Sequence, residues 1–418
     1  MLTQKDLFAK ALLVEKPWFV HDIKFDQTAG KLEIWIDFER GSSFYYEDKE
    51  LGIEGHFKAY DTTEKTWRHL NFFQYQCYLH AWIPRVELGN GKIRQVQAPW
   101  EGHAPGFTLL FEALILELVR VMPVHNVCQV LDVYDNKLWK MIKAYTNKAR
   151  AEEDYSKVTV VGIDETSVRK NHVYVSLFVD IEEKRTIFVT EGKDHTVIQA
   201  FVSDLVAHGG QPDNIDQVSC DMSPAFIKGV EANLPSASVV FDRFHVSKVI
   251  NEAVDKVRKS EVEKNPILKG SKYIFLKNRE NLTAYQKQRL EGIQLSGLNL
   301  KTMKALNIRE AFQQIYQAPT SEMFDKLLRK WYFWATHSRI NPIKEAAYTI
   351  QRHWDGIVNW FDYKISNGIL EGFNSIFQAA KAKARGYRRY DTIKAIIYLL
   401  TGKLDFSKIN PHYVTHSK

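Results

Sequence analysis

Three carboxylates in this sequence stand where an acid is costly unless it has a partner. Asp164 closes the β-branched run Val158-Thr-Val-Val-Gly-Ile163, and Asp221 closes Ile215-Asp-Gln-Val-Ser-Cys220. Both runs read as buried strands, and each acid falls where a sheet opens to solvent. The third, Glu371, begins a helical stretch, Ile369 to Arg385. One side of that stretch carries Glu371, Asn374, Gln378, Lys381 and Arg385 at steps of three and four; the other carries Phe373, Ile376, Phe377, Ala380 and Ala384. A strand-end acid taken alone reads more readily as a loop cap. Two such strands and a helix whose polar stripe starts with a carboxylate and continues into amides and cations favour chemistry.

Carboxylate oxygens are hard ligands, suited to Mg²⁺ in octahedral oxygen coordination. Two such ions roughly 3.5–4 Å apart activate the attacking oxygen of a phosphodiester and stabilise the leaving one. In that arrangement Asp164 bridges both ions, Asp221 serves one and Glu371 the other. Without metal the clustered acids repel and raise one another's pKa. Glu165, next to Asp164, is expected to point to the opposite face of its strand.

The elements that must position these acids are legible in order. Phe19 to Asp26 and Lys31 to Phe38 read as strands joined by the turn Gln27-Thr-Ala-Gly30, after a helix from Leu7 to Val14. Aromatics interleaved with Arg68, Arg85, Lys92 and Arg94 suit base stacking and phosphate binding; a core of aromatics beside a solvated basic face explains the same letters. Leu109, Leu110, Ala113, Leu114 and Leu118 form a helical stripe stopped by Pro123, followed by a short helix, Val124 to Leu131, and a third capped by Asp135. The last two match a helix-turn-helix, with Asn136, Lys137, Lys140 and Lys143 facing a major groove. A three-helix packing unit without DNA contact is the competing reading.

After Asp164, a polar turn from Ser167 to Asn171 leads to strands at His172 to Asp180 and Thr186 to Thr190. A helix from Thr196 to Val206, the Asp221 strand, a helix opened by Ser223-Pro224, the strand Ser238 to Phe241 and a helix from Val246 to about Val257 complete the series. This order has a precedent in ribonuclease-H-like folds, where the first and fourth strands lie side by side. Asp242 and His245 either support the acids from a second layer or cap the helix that follows them. From Arg258 to about Phe361 the pattern is helical and aromatic, an all-α insertion whose aromatics are most simply core.

Composition is that of a globular chain. Of 418 residues 45% are hydrophobic and 26% charged, which excludes the disordered class, and a net charge of +7 favours a polyanionic partner such as nucleic acid but also suits many ordinary basic proteins. Between Glu371 and Lys403 seven basic residues face two acids, so the charge is concentrated near Lys381, Lys383, Arg385, Arg388 and Arg389, where phosphates would release counterions. Three scattered cysteines support neither a disulfide framework nor a Cys-rich zinc site and point to a reducing compartment. No signal peptide or membrane segment is expected.

Taken together, Gly162-Ile-Asp-Glu-Thr166, Cys220-Asp-Met-Ser-Pro-Ala-Phe226, Phe241-Asp-Arg-Phe-His245, Asn367-Gly-Ile-Leu-Glu-Gly-Phe-Asn374 and Gly386-Tyr-Arg388 resemble the DDE transposases of the bacterial ISL-three insertion-sequence family. Trp67-Arg-His-Leu70, Leu276-Lys-Asn278 and Glu280-Asn-Leu-Thr283 extend the resemblance over nearly the whole chain. It implies Asp164, Asp221 and Glu371 as catalytic acids, Mg²⁺ with Mn²⁺ able to substitute, and strand cleavage and transfer at terminal inverted repeats of double-stranded DNA. It also implies a homodimer or larger synaptic complex, at the nucleoid of a bacterial cytoplasm. Relatives carry a Cys-rich zinc segment around the Trp-Arg-His-Leu motif that is missing here. Zinc is therefore not expected, and His56, His69, His80 and His103 would make only an irregular site.

The expected architecture is α/β, a ribonuclease-H-like core with an all-α insertion. Its segments are a mixed DNA-binding domain with a degenerate zinc-ribbon region (1–105), a helix-turn-helix (106–150), the first part of the core (151–257), the insertion (258–361), the last core helix with the basic segment (362–405) and a tail (406–418). Two other functions compete with transposition. One is a nuclease of the same fold that only hydrolyses; the other is a metal-free DNA-binding regulator, which the three intact acids disfavour.

Overall fold

A computed structural model describes residues 3–48, 52–89, 91–169, 173–296, 298–363 and 368–413. Ser366-Asn-Gly368 reads in the sequence as a turn and helix cap, and its first two residues lie outside the described residues, as do Lys170 to His172 and Asn90. The chain is mixed α/β and divides into two units, Met1–Glu153 with Ala379–Lys418, and Asp154–Gln378. Residues 379–405, grouped with the core on sequence, thus fold with the first unit.

In the first unit, α1 (Gln4–Ala11) precedes β1 (Trp18–Asp26), β2 (Lys31–Phe38), β3 (Ser43–Asp48), β4 (Ile53–Phe72), β5 (Tyr75–Glu87) and β6 (Ile93–Gln95). α1 starts earlier than its apolar spacing suggests because Thr3 and Asp6 form a capping box. The strands form one sheet of order β1-β2-β5-β4-β3, with β6 on β5. Alternation explains its buried face: Leu32, Ile34 and Ile36 of β2 are fully buried, as are Leu79, Ala81 and Ile83 of β5. Trp100 packs edge-on against both Trp18 and Trp67. Three helices follow, α2 (Leu109–Val121), α3 (Val124–Leu131) and α4 (Asp135–Ala151). Asp135 is the first residue of α4 rather than its cap, since Tyr134 holds the cap position without a side-chain bond.

The second unit contains β7 (Val160–Arg169), β8 (Val173–Asp180), β9 (Arg185–Glu191), α5 (Thr196–Ala207), β10 (Gln217–Cys220), α6 (Pro224–Asn233), β11 (Ser238–Phe241) and α7 (Arg243–Val262). The sheet order is β11-β10-β7-β8-β9. Hairpins make β7, β8 and β9 antiparallel, whereas β10 pairs parallel with both β7 and β11. One expectation fails here. Asp164 does not end its strand: β7 continues to Arg169 because β8 goes on pairing with it as far as Val173.

The helical insertion comprises α8 (Lys272–Leu276), α9 (Ala284–Leu295), α10 (Lys301–Ile315), α11 (Ser321–Thr336), α12 (Asn341–Arg352) and α13 (Trp354–Tyr363). Its core is aromatic, with Phe312, Phe324 and Trp331 buried, although Phe333 stays largely exposed. α13 covers the edge strand β11: Asn359 donates to the Val239 carbonyl at 3.0 Å, and Gly356 leaves room for the Phe241 ring. α14 (Gly368–Lys383) spans the boundary between units, and α15 (Tyr390–Thr401) belongs to the first. Gly386, with φ of 97°, closes α14 by donating its amide to the Lys381 carbonyl at 2.8 Å. Among the described residues no helix is long and apolar enough to cross a membrane.

Candidate active site

Strand register creates the site. β10 pairs with β7 only as far as Ser219 opposite Gly162, so Asp164 lies past the end of its parallel neighbour. Asp221 follows the last residue of β10 and turns the chain, accepting the Ser223 amide at 3.0 Å just before Pro224 starts α6. Glu371 is exposed in the first turn of α14.

Burial, above all, lifts the Asp164 carboxyl above the usual aspartate range. The Glu165 amide, donating at 2.7 Å, and the charge of His245 pull it back, whereas the charges of Asp221 and Glu371 push it up again. Glu165 is raised as well, first by burial and then by Asp221, with Lys193 opposing. It is half-buried.

Helix α14 is held to β7 by a small set of contacts. Leu370 and Phe377, two turns apart, are its buried anchors. Ile376, expected on the apolar face, is 45% exposed, because the buried stripe is narrower than the letters suggest. Asn374 donates to Asp164 Oδ2 at 2.5 Å, and Gln378 donates to Thr166 Oγ1 at 2.8 Å and the Ser167 carbonyl at 3.0 Å. These two amides, read from sequence as facing DNA, spend those donors on β7. Sequence reasoning overlooked Gly162 as a packing residue, although a glycine inside a β-branched run is itself a signal of close approach.

Asp242 does cap α7, accepting the Phe244 amide at 2.7 Å, which is why that helix starts at Arg243 and not Val246. His245 lies in the first turn of α7, and among the described residues its buried Nδ1 has no hydrogen-bond partner. Asn374 Oδ1 is likewise buried and unpaired. Negative charge on a partly buried aspartate and an unmet amide oxygen beside it are what a hard divalent cation relieves. Among the described residues no three acid, histidine or cysteine side chains stand at ligating distance.

The residues expected on DNA from the first unit fare differently. Arg68 is a correction: it is 5% exposed, donates to the His69 and Cys77 carbonyls and to Asn71, and packs by the Tyr78 and Phe111 rings. With His69 bonded to Thr108 at 2.9 Å, the Trp-Arg-His-Leu motif clamps the sheet to α2. Leu276-Lys-Asn278 is a second clamp, gripped by buried Arg309. Arg85 pairs with Asp61, and Lys143 with Asp391 at 2.6 Å. Lys137 lies over the Phe107 ring. Asn136, Lys140, Arg385, Arg388 and Arg389 are exposed, and Lys381 partly so. The four histidines of the degenerate zinc region have separate partners, His56 on Tyr45, His80 on Thr66 and Trp35, and His103 on the Ile409 carbonyl.

A family model described as transposase matches residues 161–397. The chain is 26% identical over 342 residues to the transposase for insertion sequence element IS1001 of Bordetella parapertussis, with 79% of this chain and 83% of that protein covered. It is 24% identical over 428 residues to the transposase for insertion sequence element IS1557 of Mycobacterium tuberculosis, with 94% of each covered.

Proposed function

The chain belongs to the ISL-three family of DDE transposases, and from that premise we propose that it binds the terminal inverted repeats of an insertion sequence, cleaves DNA there and transfers the freed strands to target DNA. Asp164, Asp221 and Glu371 are the catalytic and metal-holding acids. What carries this reading is that β7 and β10 are parallel neighbours and that Asn374, one turn along α14 from Glu371, donates to Asp164 Oδ2, so that three stretches far apart in sequence converge. The sheet order, with the Asp164 and Asp221 strands parallel neighbours, supports a ribonuclease-H-like core.

The three acids would hold divalent cations, Mg²⁺ or Mn²⁺, which when bound supply a Lewis acid for phosphodiester oxygens and lower the pKa of water. The protein's part is positional. Asn374 orients Asp164 by donating to one of its oxygens, and the Glu165 amide fixes the other. Leu370, Phe377 and Gln378 seat α14 on its strand, so Glu371 is presented from a fixed helix. Asp242 sets the start of α7 and thereby the position of His245 in that helix's first turn.

α3 and α4 form the helix-turn-helix, with Asn136 and Lys140 fully available and Lys137 and Lys143 partly so. Lys381, Arg385, Arg388 and Arg389, with Arg85 from the sheet, add phosphate contacts. Cutting two ends calls for a homodimer or larger synaptic complex. The test is incubation of the protein with Mg²⁺ and DNA carrying the element's own ends. Asp164→Asn should abolish cleavage and keep end binding; cleavage at the wild-type rate would sink the assignment. A pre-cleaved end separates transposition from simple hydrolysis, since only a transposase joins it to target DNA.

A further inference from the structure

A cavity of about 430 Å³ lies in the first unit, walled by the first turns of α3 and α4 and by the segment between α14 and α15. Trp139 and Tyr387 form one side, their ring centroids 6.2 Å apart and their planes at 87°, so the wall combines a ring face with a ring edge. Lys143, Arg388 and Arg389 form another side. Asp391 takes up part of that charge, accepting from Lys143 at 2.6 Å and from Arg389 at 3.1 Å, and Asp135 also lines the space. Arg388 is exposed. Both α3 and α4 start without a side-chain cap, which leaves the positive ends of two helices at the same cavity.

Aromatic faces beside cations are how proteins hold unpaired bases: the rings stack any base and the cations take the phosphate. The volume suits one nucleotide and excludes a double helix. We propose that this cavity receives a single unpaired nucleotide of bound DNA, its base against Trp139 and Tyr387 and its phosphate on Arg388 and Arg389. The inference rests on the DNA-binding reading above and adds to it a preference for distorted DNA.

The full chain is titrated, at one salt concentration, with a short duplex of mixed sequence and with the same duplex bearing a one-nucleotide 2-aminopurine bulge. The bulged duplex should bind about tenfold more tightly, and its fluorescence should be quenched on binding, as stacking on one aromatic platform implies. An abasic bulge, which keeps the phosphate, should lose most of that advantage. Trp139→Ala should remove the preference while leaving affinity for paired DNA unchanged, and Trp139→Phe should retain it. Equal affinity for both duplexes, or an unquenched bulge, overturns the inference even if the variants fail to fold. Binding without preference leaves the transposase reading standing, whereas no DNA binding at all removes both.

Discussion

Leu370, in the first turn of α14, rests on Gly162 of β7 so closely that a methyl group on the glycine would stand 3.0 Å from Leu370 Cδ1 and 2.7 Å from Ile181 Cδ1. The helix bearing Glu371 and the strand bearing Asp164 thus approach through a position without a side chain. Both neighbours are tips of flexible side chains, so Gly162→Ala should be tolerated. Gly162→Val, with no such slack, should cost about 1–3 kcal/mol and reduce cleavage beyond what lost folded protein explains. Thermal melting and single-turnover cleavage of DNA ends measure the two. Gly372→Ala, where nothing lies within 4 Å, is the control and should raise Tm slightly.

Asn374 tests the orientation of Asp164. Removing its donor in Asn374→Ala should slow cleavage about 10–100-fold with end affinity unchanged. Asn374→Asp should be slower still at neutral pH, because it replaces a donor with a like charge. A variant that cleaves at the wild-type rate would show that the bond has no part in catalysis.

The raised Asp164 pKa ties stability to pH. A carboxyl that is harder to ionise folded than unfolded costs nothing when both states are protonated, and costs stability once pH rises above the unfolded value near 4. Asp164→Asn should therefore melt higher than wild type at pH 7 without metal, and the gap should close as the pH falls below the ordinary carboxylate range. Melting curves across that window decide it, and a gap that widens in acid would contradict it.

In the first unit, fully buried Glu112 accepts from the Ala104 and His103 amides and from the Tyr145 hydroxyl at 2.6 Å. Asn410 donates in turn to the Tyr145 hydroxyl, tying the C-terminal segment to α2 and α4. Glu112→Ala leaves two buried donors and one partly buried donor unmet and should cost about 3 kcal/mol or more. Chemical denaturation would reveal a shift of that size, and a neutral result would mean that water replaces the carboxylate.

Much of the frame was legible because its causes are local. β2, β11 and α3 have the bounds that alternation, helical spacing and Pro123 suggest. The strand of Asp164 was read too short, since its continuation depends on β8. Arg68 was read as a DNA contact because a buried arginine beside aromatics and an exposed one have the same local letters; only the carbonyls that surround it differ. For the same reason Asn374 and Gln378 could not be told from DNA-facing amides until β7 lay beneath them.

By itself the sequence indicated the order of elements from Val158 to Val257, the spacing of three candidate acids, and the family, because propensity, caps and motifs act within a few residues. Tertiary structure decided the field around Asp164, the narrow contact of Leu370 on Gly162, and which cations remain exposed. Burial and register depend on residues far away in the chain: β10 stops pairing at Gly162, and α14 arrives there from two hundred residues on.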